Sequence, residues 1–440
     1  VYPYEWILMI GSLRRQSFLL VFFLPLTACG SADTQRAAAA DSVAEEDTVP
    51  AEGIRVGAQV LLEEIPEAIR GRRVGLLTNH TGIVGTVSGA VSTVDLLYDH
   101  PEIELVALFG PEHGIRGTAE AGEHVDSSMD EATGLPIHSL YGGSTKPTPE
   151  MLEGVEALLF DIQDIGVRYY TYVWTMTLAM EAAAEAGIPF VVLDRPNPLG
   201  SVTGGNVLRP EFASLVGRYP VPMRHGLTPG ELARYITGEF DIPVELSVVP
   251  VMGWDPDHPL GEGALPWVAP SPNMPDLVSA THYPGTCLFE GTPLSVGRGT
   301  DRPFQQVGAP WLDGEELARR LNALELPDAR FEAVRFTPDT PGDGKFGGEE
   351  VAGVRFHALG EAYEPELAAY AALVAAREMS GDAWSWRETH FDRLAGTDRL
   401  RASVEAGRPL DELRAEWTTE RTSFHDAVTP YLLYQRSPTP

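Results

Sequence analysis

Four short runs of continuous apolar residues, each followed at once by polar residues, constrain the fold of this 440-residue chain more than any other feature. Such runs are typical of parallel strands that are buried on both faces of a sheet. They cover residues 73–78, 103–109, 157–161 and 189–194. Helix-like patterns lie between them, at residues 91–98 and 171–186. The alternation predicts an α/β fold with a Rossmann-like, doubly wound and mostly parallel sheet.

The pattern changes after about residue 240. Residues 253–310 are rich in Pro and Gly, and we interpret them as long functional loops. Further along, helical and strand patterns alternate again, at residues 314–324, 331–336, 351–356, 365–379 and 410–416. We therefore expect a Rossmann-like catalytic domain over residues 53–240 and a smaller α/β domain over residues 241–440 that completes a cleft.

The first 29 residues are typical of an export signal. Arg14 and Arg15 precede a short apolar run, and the segment ends in Leu26-Thr27-Ala28-Cys29. This ending resembles the lipobox of bacterial lipoproteins, in which the cysteine is acylated; a plain signal peptide with an incidental cysteine is the alternative. Residues 30–52, rich in Ala, Asp, Glu, Ser and Thr, predict a flexible tether. We expect an exported protein that a lipid at Cys29 anchors in the bacterial cell envelope, on its periplasmic or outer-surface side.

The charge of the chain argues against one class of partner. There are 63 acidic residues against 32 basic ones, which gives a net charge of −31. Nucleic acid phosphates repel a protein this acidic, so we expect no nucleic acid partner. Besides Cys29 the chain has one further cysteine, Cys287, whose apolar neighbours predict a core position and not a nucleophile.

Polar residues follow each of the four apolar runs directly. Because open parallel sheets bind ligands beyond the carboxyl ends of their strands, these residues predict a site. They are Asn79, His80, Glu112, His113, Asp161, Asp164, Arg168, Arg195 and Asn197. The glycine-rich motifs that hold dinucleotides or nucleotides are missing from the corresponding turns, and so is the G-x-S-x-G motif of serine hydrolases. We therefore expect a site that works without a nucleotide cofactor.

Carboxylates are the natural catalysts among these residues. Glycosidic cleavage needs a carboxylic acid to protonate the leaving oxygen, and Glu112, in a turn flanked by glycines, is the best candidate. Asp161 and Asp164 are candidates for the partner that steadies positive charge or activates water. Tyr169 and Tyr170 offer faces on which a sugar ring can stack.

Two other interpretations of these residues remain open. Asp164 also fits a simple ion pair with Arg168, one helical turn further on. The imidazoles of His80 and His113, with the carboxylates of Asp161 and Asp194, would suit a metal ion, but no spacing typical of metal sites supports this.

Several long motifs occur in an order that is specific to one family. The sequence resembles the exo-β-N-acetylmuramidases of the NamZ type from about residue 54 to its end. The motifs that carry the resemblance lie at residues 77–82, 109–114, 161–172, 194–198, 223–228, 270–275, 283–291 and 297–300. The resemblance implies release of the terminal, non-reducing N-acetylmuramic acid from peptidoglycan fragments such as MurNAc-GlcNAc in cell-wall recycling, with no cofactor and no metal. It places the catalytic glutamate at Glu112. We expect Glu112 to act as general acid/base, and His113, Asp161 and Asp164 to position groups and stabilise charge.

The chemistry of this substrate suggests its receptors. N-acetylmuramic acid carries a lactyl carboxylate, for which an arginine fork is the best receptor. The candidate binding residues are the arginines Arg168, Arg195, Arg298 and Arg302, the amides Asn79, Asn197 and Asn273, and the motif residues His80, Tyr169, Tyr170 and Glu290. A non-catalytic sugar- or muropeptide-binding lipoprotein and a metal-dependent envelope amidase or esterase remain as alternative functions.

Overall fold

The computed structural model describes residues 53–85, 89–112, 114–115, 128–259, 265 and 267–437. The predicted export signal, Cys29, the tether and His113 lie outside these residues. Within the described part of the chain, no helix is both long enough and apolar enough to cross a membrane.

Strands and helices alternate along the first half of the described chain, and helices dominate its end. The strands are β1 (Arg73–Thr78), β2 (Ile83–Val84), β3 (Val91–Ser92), β4 (Glu104–Gly110), β5 (Ser128–Met129), β6 (Pro136–Ser139), β7 (Ala157–Asp161), β8 (Phe190–Leu193), β9 (Gly204–Val207), β10 (Pro222–Arg224), β11 (Leu246–Val249), β12 (Gln306–Ala309), β13 (Ala329–Phe336) and β14 (Val351–Ala358). The helices are α1 (Gly57–Glu63), α2 (Thr93–Tyr98), α3 (Tyr172–Ala186), α4 (Pro229–Glu239), α5 (Leu277–Thr286), α6 (Gly314–Asn322), α7 (Pro365–Ser380), α8 (Glu388–Ala395), α9 (Arg399–Ala406) and α10 (Leu410–Val428). Short 3₁₀ turns cover Pro210–Phe212, Cys287–Gly291, Gly381–Ala383 and Thr429–Tyr431.

The large sheet has the strand order β11-β8-β7-β1-β4-β6-β5. All neighbouring strands are parallel except β5, which runs antiparallel to β6 at the edge. From β1 the chain adds β4 and β6 on one side, then returns to add β7, β8 and β11 on the other. This is the order of a Rossmann-type sheet, and its direction reverses between β1 and β7. The predicted fold class is confirmed.

Both faces of this sheet are covered, because its strands carry apolar side chains at successive positions. In β1, Leu77 packs into the core beneath α3, whereas its neighbour Leu76 packs into the core beneath α1 and α2. In β7, Phe160 and Leu159 divide between the two cores in the same way. The continuous apolar runs of the sequence thus follow from burial on two sides.

The four predicted strands are confirmed as β1, β4, β7 and β8, with ends that differ by at most one residue. Helix α3 also begins and ends close to its predicted bounds. Its Ala- and Met-rich sequence favours a helix, and Gly187 ends it in the left-handed conformation with φ of 67°. Residues 91 and 92, predicted as helix, instead form the short strand β3 before α2.

The C-terminal part contains a three-stranded antiparallel sheet, β12-β14-β13, with α5 to α10 around it. Its apolar residues continue the core that covers one face of the large sheet. The predicted smaller α/β part is therefore present. The predicted boundary at residue 240 lies before β11, which is an edge strand of the large sheet.

The prediction that residues 253–310 form only loops is wrong. Helix α5, a 3₁₀ turn and strand β12 occupy part of this segment. Asp276 caps α5 by accepting a hydrogen bond from the Ser279 amide at 2.7 Å. Pro284 lies inside the helix, near its end, and such a residue conceals a helix in the sequence pattern.

Candidate active site

A cleft of about 320 Å³ lies between residues of the large sheet's loops and residues of the C-terminal part. Three segments of the chain supply most of its polar groups: the turn after β4, the segment that leads into α3, and the C-terminal elements α5 and α8 with their loops. The lining residues are Glu112, Tyr141, Tyr169, Tyr170, Thr171, Tyr172, Leu215, Val216, Ser271, Asn273, Met274, Tyr283, Cys287, Glu290, Arg298, Phe304, His390, Arg393 and Leu394.

Glu112 is half-buried in the turn that follows β4. The Gly114 amide donates a hydrogen bond to the Pro111 carbonyl at 2.9 Å, and Gly114 has φ of 69°, a conformation that favours glycine. The Glu112 carboxylate accepts a hydrogen bond from the Thr171 hydroxyl at 2.7 Å. Thr171 is also the residue from which α3 begins. The segments that follow β4 and β7, the two strands on either side of β1, thus together orient this side chain at the cleft.

Tyrosines form much of the wall beside Glu112. The rings of Tyr170 and Tyr172 meet edge to face at 5.1 Å, and Tyr170 meets Tyr283 of α5 at 5.9 Å. Burial raises the pKa of Tyr170 well above its ordinary value, so this hydroxyl stays neutral. The wall offers aromatic faces and neutral hydroxyl groups, both of which suit a sugar.

The loop before α5 is held against the sheet by two side chains. The Tyr172 hydroxyl donates to the Pro270 carbonyl at 2.5 Å, and His80 Nε2 lies 2.7 Å from the Ala269 carbonyl oxygen. This loop delivers Ser271 and Asn273 to the cleft. His80, predicted to bind substrate, therefore does not line the cleft and instead contacts the backbone of a loop that does.

On the C-terminal side, Glu290 and Arg298 form an ion pair. Arg298 Nε donates to Glu290 Oε1 at 2.7 Å, and its guanidinium lies 5.0 Å from the centre of the Phe304 ring. Behind them, the Lys345 ammonium donates to the carbonyls of Phe289 and Leu294 at 3.2 and 2.8 Å. Burial lowers the pKa of Lys345 to about 8, against opposing effects of nearby carboxylates. These contacts fix the 3₁₀ turn that carries Glu290.

The strand-end residues Asp161 and Arg195 bind each other and not the cleft. Both side chains are almost completely buried, and Arg195 Nε and Nη2 donate to the two Asp161 carboxylate oxygens at 2.6 and 3.0 Å. Arg195 Nη2 also donates to the Ile83 carbonyl at 2.9 Å. This geometry corrects the expectation that Asp161 acts on substrate and that Arg195 receives it.

Asp164 is also sealed from the cleft. Its Oδ1 accepts a hydrogen bond from the Gly166 amide at 2.7 Å, while Oδ2 is buried without a hydrogen-bond partner. Burial raises the pKa of Asp164 to about 7, and the amides of Gly166 and Ile165 oppose this rise. The alternative pairing with Arg168 is not formed either, since Arg168 donates elsewhere.

The two predicted amides at the strand ends serve the backbone. Asn79 Oδ1 accepts from the Thr81 amide and hydroxyl at 2.9 and 2.6 Å. Asn197 accepts from the Leu199 amide at 2.9 Å and donates to the Leu227 carbonyl at 3.1 Å. Both side chains are buried and absent from the cleft wall, so the structure does not bring them to a ligand there.

Arg168 is fully buried and joins the two parts of the protein. One guanidinium nitrogen donates to the carbonyls of Asn206 and Val221, and the other to those of Leu394 and Ala395 at 3.1 and 2.7 Å. The last two carbonyls belong to the C-terminal end of α8, so Arg168 caps that helix. Its predicted role as a receptor for a substrate carboxylate conflicts with this placement.

Part of the predicted site therefore meets in the cleft. The predicted residues that line it are Glu112, Tyr169, Tyr170, Asn273, Glu290 and Arg298. Thr171, Ser271 and Tyr283 also line it, and they lie inside the motifs that predicted the family. His390 and Arg393 of α8 lie outside those motifs, and no local pattern marks them as site residues.

No group of three or more His, Cys, Asp or Glu side chains within the described residues is arranged to hold a metal ion. Two carboxylates belong to the metal site that the sequence offered as an alternative, Asp161 and Asp194. Asp161 forms an ion pair with Arg195. Asp194 accepts from the Thr228 and Tyr434 hydroxyls and the Gly230 amide at 2.7, 2.6 and 2.8 Å. These two carboxylates are thus engaged by the protein itself.

Two family models match nearly all of the described chain. The model of the N-terminal domain of the exo-β-N-acetylmuramidase NamZ matches residues 74–278, and the model of its C-terminal domain matches residues 281–434. The chain is 42% identical over 404 residues to the peptidoglycan β-N-acetylmuramidase NamZ of Bacillus subtilis (strain 168), which covers 91% of this chain and 96% of that protein.

Solved structures agree with this match. A crystal structure of a DUF1343 family protein from Bacteroides fragilis NCTC 9343 superimposes with a TM-score of 0.80 at 35% identity, covering 87% of this chain and 99% of that one. A second DUF1343 family protein from the same organism gives a TM-score of 0.70 at 32% identity, covering 88% and 100%.

Proposed function

The chain belongs to the NamZ family of exo-β-N-acetylmuramidases, and we propose that it hydrolyses the glycosidic bond of a terminal, non-reducing N-acetylmuramic acid in peptidoglycan fragments such as MurNAc-GlcNAc. The observation that carries this proposal is the half-buried Glu112 carboxylate, which the Thr171 hydroxyl orients at the edge of a cleft walled by tyrosines.

Glu112 is the proton donor in this proposal. Glycosidic cleavage passes through a state with positive charge on the sugar ring, and the leaving oxygen must take up a proton as its bond to the sugar breaks. The Thr171 hydroxyl donates to one carboxyl oxygen of Glu112 and so fixes this side chain at the cleft, where its proton passes to the glycosidic oxygen as the bond to the sugar breaks. The tyrosine faces beside it stack on the ring, and a water molecule then adds its oxygen to the anomeric carbon and gives up a proton, which completes the hydrolysis.

Glu290 is the second carboxylate that we assign to the reaction. Among the described residues, Glu112 and Glu290 are the two carboxylates that line the cleft, whereas Asp161 and Asp164 are sealed behind it. Arg298 binds one oxygen of Glu290, and Lys345 holds the backbone of its turn. A carboxylate fixed in this way stabilises the positive charge that develops on the sugar.

The test is product release from two chromogenic substrates, an N-acetylmuramide and the matching N-acetylglucosaminide. We expect release from the first only, with and without a chelator, and free N-acetylmuramic acid from MurNAc-GlcNAc by mass spectrometry. Binding of the disaccharide without release would favour the non-catalytic alternative. Loss of release in the chelator would favour a metal-dependent hydrolase.

We also propose that the protein is exported and anchored by a lipid on Cys29, with residues 30–52 as a tether. The basic and apolar segments before Leu26-Thr27-Ala28-Cys29 support this. The full chain, expressed in a bacterium, should incorporate labelled palmitate and sediment with membranes, and Cys29→Ser should lose the label. Equal labelling of both would contradict the proposal.

A further inference from the structure

The cleft wall supplied by the C-terminal part is cationic in a protein whose net charge is −31. Arg298, His390 and Arg393 line it. Burial lowers the pKa of His390, and Arg387, Arg393 and Lys345 lower it further, while Glu290 opposes them. The guanidiniums of Arg298 and Arg393 thus outnumber Glu290, the single carboxylate of this wall, which is the reverse of the charge balance of the whole chain.

One of these cations is already neutralised. Arg298 donates to Glu290 at 2.7 Å and lies over the Phe304 ring, and its side chain is mostly buried. The Nε and Nη2 edge of this guanidinium is occupied by Glu290, and the charge of that carboxylate offsets the charge of Arg298, which weakens its attraction for a second anion. Arg298 therefore positions Glu290 and leaves the recognition of an anionic ligand to another residue.

Arg393 is the cation of this wall that remains available. Its side chain is exposed, and within the described residues it forms neither an ion pair nor a hydrogen bond. The neighbouring residues are firmly held, because Asp392 binds the Arg401 guanidinium through two contacts of 2.9 Å and Leu394 accepts from Arg168. The backbone of Arg393 is thus fixed at the cleft, while its guanidinium has no ion-pair or hydrogen-bond partner in the part of the chain that the structure describes.

We propose that Arg393 determines specificity by receiving the lactyl carboxylate of N-acetylmuramic acid. The inference rests on the proposed function and adds to it the residue that distinguishes this sugar from N-acetylglucosamine, which lacks the lactyl group. A planar guanidinium binds a carboxylate through two parallel hydrogen bonds, and no competing protein anion has to be displaced from it. The same chemistry would suit a carboxylate of a peptide stem, but there the lactyl group is an amide, so the two sources can be separated.

The experiment compares two chromogenic N-acetylmuramides, one with a free lactyl carboxylate and one with a lactyl methylamide. For Arg393→Ala we expect kcat/KM on the free acid to fall about 10- to 100-fold, and kcat/KM on the amide to change by less than about threefold. Arg393→Lys should lie between, since it keeps the charge but not the fork. Arg399→Ala, an exposed arginine on α9 outside the cleft wall, is the matched control and should behave as the wild type on both substrates.

Equal losses on both substrates, or no loss on either, would overturn the proposal. A third chromogenic N-acetylmuramide, which carries a peptide stem on the lactyl group, separates the two sources of a carboxylate: a loss confined to this substrate would assign Arg393 to the stem and overturn the lactyl assignment. If the wild type releases no chromophore at all, the proposed hydrolysis is wrong. The role of Arg393 is then tested separately, by calorimetric measurement of the binding of free N-acetylmuramic acid to the wild type and to Arg393→Ala. Weaker binding to Arg393→Ala than to the wild type would then support the inference, and equal binding would refute it. Circular dichroism and the thermal midpoint verify that each variant folds.

Discussion

The strand-end cluster, made of Asp161, Asp164, Arg195 and the two amides, and the cleft wall, made of Glu112, Glu290, Arg298 and Arg393, contain the same chemical types. They differ in their partners. Polar groups of the strand-end cluster are buried and mostly satisfied by each other or by backbone, whereas the cleft wall keeps Glu112 half-buried and Arg393 exposed. A carboxylate or a guanidinium beyond a strand end can therefore act on a ligand only if the rest of the protein does not bury it.

The comparison predicts that changes in the cleft affect turnover and changes in the strand-end cluster affect stability. The largest effect should come from Glu112→Gln, which keeps the shape of the side chain but removes the proton donor. We expect kcat to fall by about 10²- to 10⁴-fold, because a positioned acid contributes that much. Glu104→Gln is the control, since Glu104 is exposed at the opposite end of the same strand, β4. Turnover of Glu112→Gln close to the wild-type value would remove Glu112 from the mechanism.

Arg195→Met tests the other region. Removal of the guanidinium leaves the Asp161 carboxylate buried and unpaired, which costs about 3–5 kcal/mol in similar pairs. The free energy of unfolding in urea should fall by this amount, while Arg73→Met, which breaks an exposed pair with Glu156, should lower it much less because solvent screens that pair.

The double variant Asp161→Leu/Arg195→Met completes this test. It removes both charges, so it should recover much of the stability that Arg195→Met loses. A double variant less stable than Arg195→Met would show that the pair does not act as a unit, and the contrast between the two regions would weaken.

Thr171→Val should have a smaller effect, confined to the cleft. It removes the hydroxyl that donates to Glu112 at 2.7 Å but keeps the size of the side chain. Loss of this hydrogen bond should lower kcat about tenfold with little change in stability. Thr175→Val, one turn further along α3, provides the control. An equal loss of kcat in both variants would point to the helix and not to the contact with Glu112.

Asp164→Asn should change the slope of stability against pH and not its level at acid pH. Burial raises the pKa of Asp164 from 3.8 to about 7. Between these values the folded protein retains a proton that the unfolded chain has released, so stability falls as pH rises from about 4 to about 7 and is level above. Asparagine does not titrate and can still accept from the Gly166 amide. The free energy of unfolding in urea, measured across this pH range, should therefore change less with pH for the variant than for the wild type. An unchanged slope would contradict the raised pKa of Asp164.

Local pattern was sufficient for the large sheet and for the turn that carries Glu112. The segments that form β1, β4, β7 and β8 are apolar at successive residues. Such a pattern strongly favours a strand that is buried on both faces of a sheet. By contrast, Pro284 concealed α5, and the exposed turns of α8 carry no signal that separates a site from an ordinary surface. The motifs that identify the family also contain Asp161 and Arg168, so they mark structural residues as strongly as residues of the cleft.

The sequence by itself determined which segments form the sheet, in which direction the chain leaves each strand, and hence which polar residues gather at one edge. Hydrophobic periodicity is a local property, and it suffices for these results. Only the tertiary structure decided which of those polar residues stay open. Among them, Arg168 is closed because it donates to the carbonyls of residues 206, 221, 394 and 395. The tertiary structure also brought Arg393 of α8, which was not among them, to the cleft with its side chain exposed. The partners of Arg168 are distant along the chain and leave no trace in the local pattern around it, and the local pattern around Arg393 does not mark its place at the cleft.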